Sequence, residues 1–189
     1  MPETTDQVSL FTVFEGWDGY NASLIRAIAP RSPEELAFRP APGMRSVGEI
    51  AAHIAVGRID WFRRMGAPGS MDLIVQLTSL FGPDEMAWIG ALAGDAARIV
   101  EWLEASWAMV EANLRRWTVA DLAVSHRQSY RGTVYAVSRQ WVIWRILSHD
   151  IQHGGQLTIM LWRQGIEIPD LGDLGGHLTE PPIVAAEPA

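Results

Sequence analysis

Two histidines, His149 and His153, stand four residues apart in a strongly apolar stretch of the chain. On a helix that spacing sets the two rings about 40° apart around the axis, on one face. Two imidazole nitrogens so placed can serve one tetrahedral or octahedral metal ion. A third ligand then has to come from a facing helix, because bundle cores build metal sites across helices. His53 is the best candidate. Glu49, Ile50, Gly57 and Asp60 share its helical face, which is therefore not a plain hydrophobic stripe. Glu49 or Asp60 is placed to accept the second ring N–H of His53 and set its tautomer. Gly57, one turn on, costs about 1 kcal/mol relative to Ala in mid-helix. Room for a metal or ligand is one reason for it, and close helix packing is another. Core histidines bonded to carboxylates or backbone are the competing reading for each residue alone. Three together, one pair at metal spacing, favour a metal site, since buried polar clusters mark ligands or catalysis.

The string His149-Asp150-Ile151-Gln152-His153 invites comparison with HExxH, in which the acid between two zinc-binding histidines is a general base. Here the acid is Asp150, one methylene shorter and about 100° from His149, which turns it toward a neighbouring helix or solvent. A zinc protease is not expected. Arg145, Gln152 and Gln156 share the face of the two histidines. Arg145 can hold a substrate or cofactor carboxylate bidentately, or form a structural ion pair with Glu49 or Asp60. Gln156 fits a contact to a ligand histidine or to substrate, and equally a bond between helices. His126 and His177 read as surface residues that could fold over as a fourth ligand. Trp61 and Trp144 read as core.

The elements that carry these residues are helices. Thr4, Thr5 or Asp6 caps a first helix that runs through Phe14 and Trp17 to Ile28, closed by Pro30 and Pro33. Residues 30–45 form a helical turn and an extended connector. Ser46 and Glu49 have capping-box spacing, so a second helix runs from about Val47 to about Met65. Residues 66–94 read as a helical insertion or lid. A third helix covers about Asp95 to Trp117, residues 122–132 connect, and a fourth helix starts at Val134 to Ser138 and ends near Gln164. Trp141 to Trp162 is apolar nearly all round, which predicts a central helix packed on several faces. Residues 165–189 form an irregular, Gly- and Pro-rich tail. The expected fold is all-α, a four-helix bundle in one domain over 1–189, with a short helical insertion between helices two and three.

A net charge of -7 argues against a nucleic-acid or anionic-membrane partner. The chain has no cysteine, hence no disulfide, thiolate ligand or cysteine nucleophile. Neither a secretory leader nor an 18-residue apolar span is visible, so a cytoplasmic protein is expected.

The segments EIAAHIAVGRIDWF and SRQWVIWRILSHDIQHGGQLTIMLWRQGI, with the proline-containing LAFRPAPGMRSVGEI before them, resemble the DinB-like family. That superfamily includes the YfiT-type metal proteins and the mycothiol-dependent maleylpyruvate isomerases. The likeness spans roughly residues 6–168 and is weak over 66–94. It implies a bundle of up-down-down-up connectivity holding a divalent metal, zinc or nickel, on His53, His149 and His153. In some members the position of His149 is a Glu. It also implies a low-molecular-weight thiol such as mycothiol or bacillithiol as cofactor, and a homodimer. The expected function is thus a thiol-dependent transferase or isomerase acting on a small molecule, with Arg145 and Gln156 as further contacts. A metal-dependent hydrolase using Glu49 or Asp60 as base, and a non-catalytic metal-binding stress protein, are the alternatives.

Overall fold

The computed structural model describes residues 5–168. The tail beyond Ile168, with His177, lies outside the described residues. The expected first helix is two: α1, Leu10–Val13, and α2, Trp17–Ile28. Gly16 separates them at φ 96°, a left-handed conformation costly for any other residue. Ser9 caps α1, its hydroxyl accepting the Phe11 N–H. Helix α3, Pro33–Ala37, starts at a capping box of Ser32 and Glu35. Helix α4, Val47–Arg64, starts at the expected box of Ser46 and Glu49. The 66–94 region folds into α5, Ser70–Phe81, and α6, Glu85–Leu92, and Asp84 caps the latter. Both pack on α4, and Leu77, Trp88, Ile89 and Leu92 join the core. Helix α7, Ala96–Arg116, is capped by Asp95, which accepts the Ala97 and Arg98 N–H groups.

The chain is mostly helical, but not all-α. Where a connector and the start of the fourth helix were expected stands an antiparallel hairpin: β1, Ser125–Tyr130, and β2, Thr133–Ser138. Its register runs from Tyr130 opposite Thr133 to Ser125 opposite Ser138. The turn is Arg131 and Gly132, both at positive φ, the two-residue geometry whose twist matches paired strands. Thr133, Val134 and Val137 favour the strand. Only after Ser138, whose hydroxyl accepts the Trp141 N–H, does α8 run, Arg139–Trp162.

The central helix is α4 rather than α8. Helix α4 touches α2, α3, α5, α6, α7 and α8, and from Val47 to Phe62 buries residues on almost every side. Its Ala51, Ala52 and Ala55 are small, which lets the neighbours approach. Helix α8 has the more apolar composition yet leaves one face open. Trp144, Ile151, Ile159 and Trp162 are each more than half exposed, so Trp144 is not a core residue.

A fully buried ion pair joins α4 to α8. Arg58 Nε donates to Asp150 Oδ2 at 2.8 Å, with neither side chain exposed. Trp17 Nε1 donates to the same oxygen at 2.9 Å, and Arg58 Nη1 donates to Asn21 Oδ1 at 2.6 Å. Tyr20 adds a bond from its hydroxyl to the Asp150 carbonyl at 3.2 Å. Burial, with the field of Asp150 adding to it, pushes this phenol up to about 12, so it stays a donor.

The two glycines after His153 have different surroundings. A methyl on Gly154 would overlap the Tyr20 hydroxyl at 1.8 Å, whereas one on Gly155 would meet nothing within 4 Å. Gly154→Ala should therefore destabilise by about 1–3 kcal/mol through overpacking. Gly155→Ala should stabilise by up to about 1 kcal/mol through helix propensity. Urea unfolding of the two variants beside wild type measures both, and equal effects would contradict the packing described.

Candidate metal centre

Helix α4 carries His53 and helix α8 carries His149 and His153, and the packing of α4 on α8 brings the three rings together. One nitrogen from each can be chosen so that all three lie within 4.8 Å of one another, with every residue partly buried. His53 Nε2 and His149 Nε2 are 3.0 Å apart. Ligand atoms around a tetrahedral zinc, bound at 2.0–2.1 Å, stand about 3.3 Å apart, so this pair is close to ligand spacing. Ring centroids lie 4.8, 5.0 and 4.3 Å apart, every pair edge to face. Such rings aim nitrogens at a common point instead of stacking. Gly57 has its explanation here: a methyl at that position would come 3.0 Å from His149 Cε1. The gap makes room for a ligand ring.

Each histidine is set differently. Gln156 Oε1 lies 2.8 Å from His153 Nδ1. A side-chain carbonyl only accepts, so the proton sits on Nδ1 and the Nε2 lone pair is free. His149 Nδ1 faces Asp150 Oδ1 at 3.7 Å, longer than a hydrogen bond, and neither atom has another partner. The carboxylate that α8 places between its two histidines thus turns inward to Arg58, and its second oxygen backs the His149 ring. His53 Nδ1 is buried without a hydrogen-bond partner. Burial is the largest influence on His53. With the positive field of Arg45 and the two other histidines, it pushes the ring from its ordinary 6.5 down to about 3. His153 is shifted the same way, chiefly by burial, with Gln156 opposing. A neutral imidazole keeps its lone pair for a metal. Three imidazole nitrogens without carboxylate or sulfur suit zinc or nickel.

Other sequence expectations resolve differently. Glu49 and Asp60 do not accept from His53. Glu49 is gripped by Arg39 through both oxygens, at 2.6 and 2.5 Å, and also accepts the Ser46 N–H. Asp60 accepts from Arg63 at 2.6 Å and from Arg64 at 2.7 Å. Arg145 pairs with neither acid. Its guanidinium lies over Trp61, 4.8 Å from the ring centroid, and 5.7 Å from that of Trp141. His126 sits on β1, away from the trio. Among the described residues, no other group of three or more potential ligands converges. Sequence reasoning missed Arg58 altogether. The available signal was one charged residue inside the apolar run from Ile50 to Ile59.

A cleft of about 480 Å³ opens beside the trio, lined in part by Arg45, Ile50, His153, Gln156, Met160 and Arg163. Its size is that of a small-molecule site.

Three imidazoles offered by two packed helices in a mostly helical chain mark a helical protein with a candidate metal centre. The sequence model of the DinB superfamily matches residues 20–157, and the chain belongs to that superfamily. A DinB-like protein from Bacillus cereus ATCC 10987, known from its crystal structure, has the same fold. The TM-score is 0.66 at 17% identity, covering 88% of this chain and 98% of that one. No curated protein matches the chain. Among the described residues, no helix is long and apolar enough to cross a membrane.

Two outcomes test the site. His53→Ala should lose stoichiometric zinc or nickel, read by elemental analysis of purified protein; metal retained at one per chain would remove His53 from the ligand set. The second concerns the metal-free protein. Between about pH 3 and 6.5 an unfolded His53 binds a proton that the folded one does not. Stability therefore falls as pH drops through that window. From pH 7 to 5 the thermal midpoint should decrease, and less so in His53→Gln. Circular dichroism melts measure it, and equal slopes would contradict the burial assigned to His53.

Proposed function

We propose that this chain is a metal-dependent enzyme using a low-molecular-weight thiol, a transferase or isomerase acting on a small electrophilic molecule. The observation that carries the reading is the open trio: three imidazoles converge from two helices, and among the described residues no fourth ligand closes the set. Closed four-ligand sets belong to structural zinc, while three ligands with an open position belong to catalytic sites. A divalent ion held there would supply Lewis acidity, lowering the pKa of a thiol or water that reaches it. Zinc and nickel are both compatible with the donor set.

The contribution of the protein's own residues is positional. Gln156 holds the His153 tautomer that leaves Nε2 free. Arg58 holds Asp150 behind His149, so the ring's Nδ1 side faces negative charge and Nε2 faces the trio. The cleft lined by His153 admits the small molecules, a cofactor thiol and a substrate.

The hydrolase alternative lacks a base. Glu49 and Asp60 are both committed to arginines, and the Arg39 guanidinium holds the Glu49 carboxyl below the usual range. A proton acceptor so paired is a weak one. A purely structural ion is disfavoured by the cleft at its side.

Cobalt-substituted protein tests the reading. Addition of mycothiol or bacillithiol should produce a thiolate-to-cobalt absorption band and shift the visible bands. No shift with either thiol would overturn it. Thiol-independent turnover of activated esters, lost in Glu49→Gln or Asp60→Asn, would replace it with hydrolysis.

A further inference from the structure

We propose that the cleft beside the histidine trio binds a molecule with a carboxylate at one end and an apolar body, the carboxylate held by Arg45 and Arg163. This deepens the thiol reading by giving the ligand a chemical class, and rests on it only for what happens at the trio.

The first observation is an uncompensated charge. The chain carries 22 acidic and 15 basic residues, yet among the described residues the cleft lining contains two arginines and no carboxylate. Many of the other arginines are matched: Arg39 with Glu49, Arg58 with Asp150, Arg63 and Arg64 with Asp60, Arg115 with Glu111, Arg139 with Asp121. Arg45 is half-buried and, among the described residues, makes neither an ion pair nor a hydrogen bond. Two carboxylates feel its field: Glu49 is taken by Arg39, and Glu85 forms no ion pair with it. Arg163 enters from the far end of α8, its guanidinium 5.9 Å from the Phe38 ring and likewise without a carboxylate among the described residues. A half-buried guanidinium forgoes part of its hydration, and an anion from outside restores it.

The second observation is the wall. Ile50 and Met160 are buried, at 5% and 3% exposure, while Met44 and Ile159 stand over the cleft at 51% and 62%. A bare inorganic anion would use none of this surface; an aliphatic or aromatic body would cover it. Methionines accommodate varied shapes, which suits a ligand contact.

The third observation selects carboxylate over phosphate. Phosphate sites are commonly built from free backbone N–H groups at a helix start. The start of α4 adjoins the cleft, but three of its N–H groups are already used. Ser46 Oγ accepts the Glu49 N–H, Glu49 accepts the Ser46 N–H, and Phe38 O accepts the Val47 N–H. What remains for an anion is the two guanidiniums, and a planar fork can satisfy both oxygens of a carboxylate without help from backbone N–H groups. His153 and Gln156 line the same cleft, so one molecule can lie with its carboxylate at the arginines and its other end at the trio.

The test uses cobalt-substituted full-length protein and two probes of one length, 6-mercaptohexanoate and 6-mercaptohexanol. The acid should bind about tenfold more tightly, the effect of one charge-assisted hydrogen bond. Arg45→Ala and Arg163→Ala should each cut that preference at least about threefold, and the double variant should abolish it, with cobalt content unchanged. Equal affinity of acid and alcohol, with both giving the thiolate band, would overturn the carboxylate site and leave the thiol reading standing. If neither probe gives the band, the thiol reading fails, and calorimetry with octanoate judges the site alone. Octanoate binding that is lost in both variants sustains it; no binding, or binding that survives in both, overturns it. Arg163 is exposed, so its variant tests the proposal even if Arg45→Ala folds poorly.

Discussion

The rest of the molecule depends on one buried ion pair, Arg58 with Asp150. Taking two charges out of water costs several kcal/mol each, and their attraction offsets that only when further hydrogen bonds are present. Here Asp150 also accepts from Trp17, and Arg58 also donates to Asn21. The pair therefore reaches α2, α4 and α8 at once. Removing one partner would strand the other in the core, a loss of about 3–5 kcal/mol in comparable pairs. An apolar contact tolerates sliding by a fraction of a turn; a buried carboxylate and guanidinium do not. The rotation of α8 against α4 is in this way set by charge, and the core fills around it.

That rotation is also what assembles the candidate metal centre. Asp150 is the neighbour of His149, so fixing one places the other. With Asp150 turned to Arg58, His149 projects into the gap left by Gly57, and its Nε2 meets that of His53. The site and the stabilising pair are opposite faces of one short helical segment. Its electrostatics follow from the same placement. Half-buried among rings and near Arg45, His53 is driven neutral, as a nitrogen ligand must be.

The cleft side is organised on a different principle. The carboxylates suggested by sequence as partners for His53, Glu49 and Asp60, are neutralised on the helix surface by arginines three to ten positions away in the chain. This leaves the cleft without a negative wall. Among the described residues the cleft lining carries two guanidiniums and no carboxylate, against the chain's net negative charge. Local charge arrangement, not net charge, decides what a cleft admits.

What could be read from sequence was whatever depends on near neighbours in the chain. The capping box at Ser46, the helices from about Val47 and about Asp95, and the shared face of His149 and His153 all follow from spacing along the chain. The choice of His53 came from the polar company on its own helix and from family resemblance. Misreadings arose where local pattern was ambiguous. Val134 to Ser138 is apolar enough to extend a helix, and only the left-handed Arg131-Gly132 turn makes it a strand. The composition of α8 suggested enclosure on all sides, yet a helix is central only if others surround it, and they surround the alanine-rich α4. Sequence alone determined the ligand types, their spacing and the helices that carry them. Tertiary structure decided that the three rings converge, that Asp150 serves Arg58, and that Arg45 and Arg163 line one cleft. The reason is physical: periodicity is a property of one helix, whereas partner choice depends on how each helix is turned and shifted against the next.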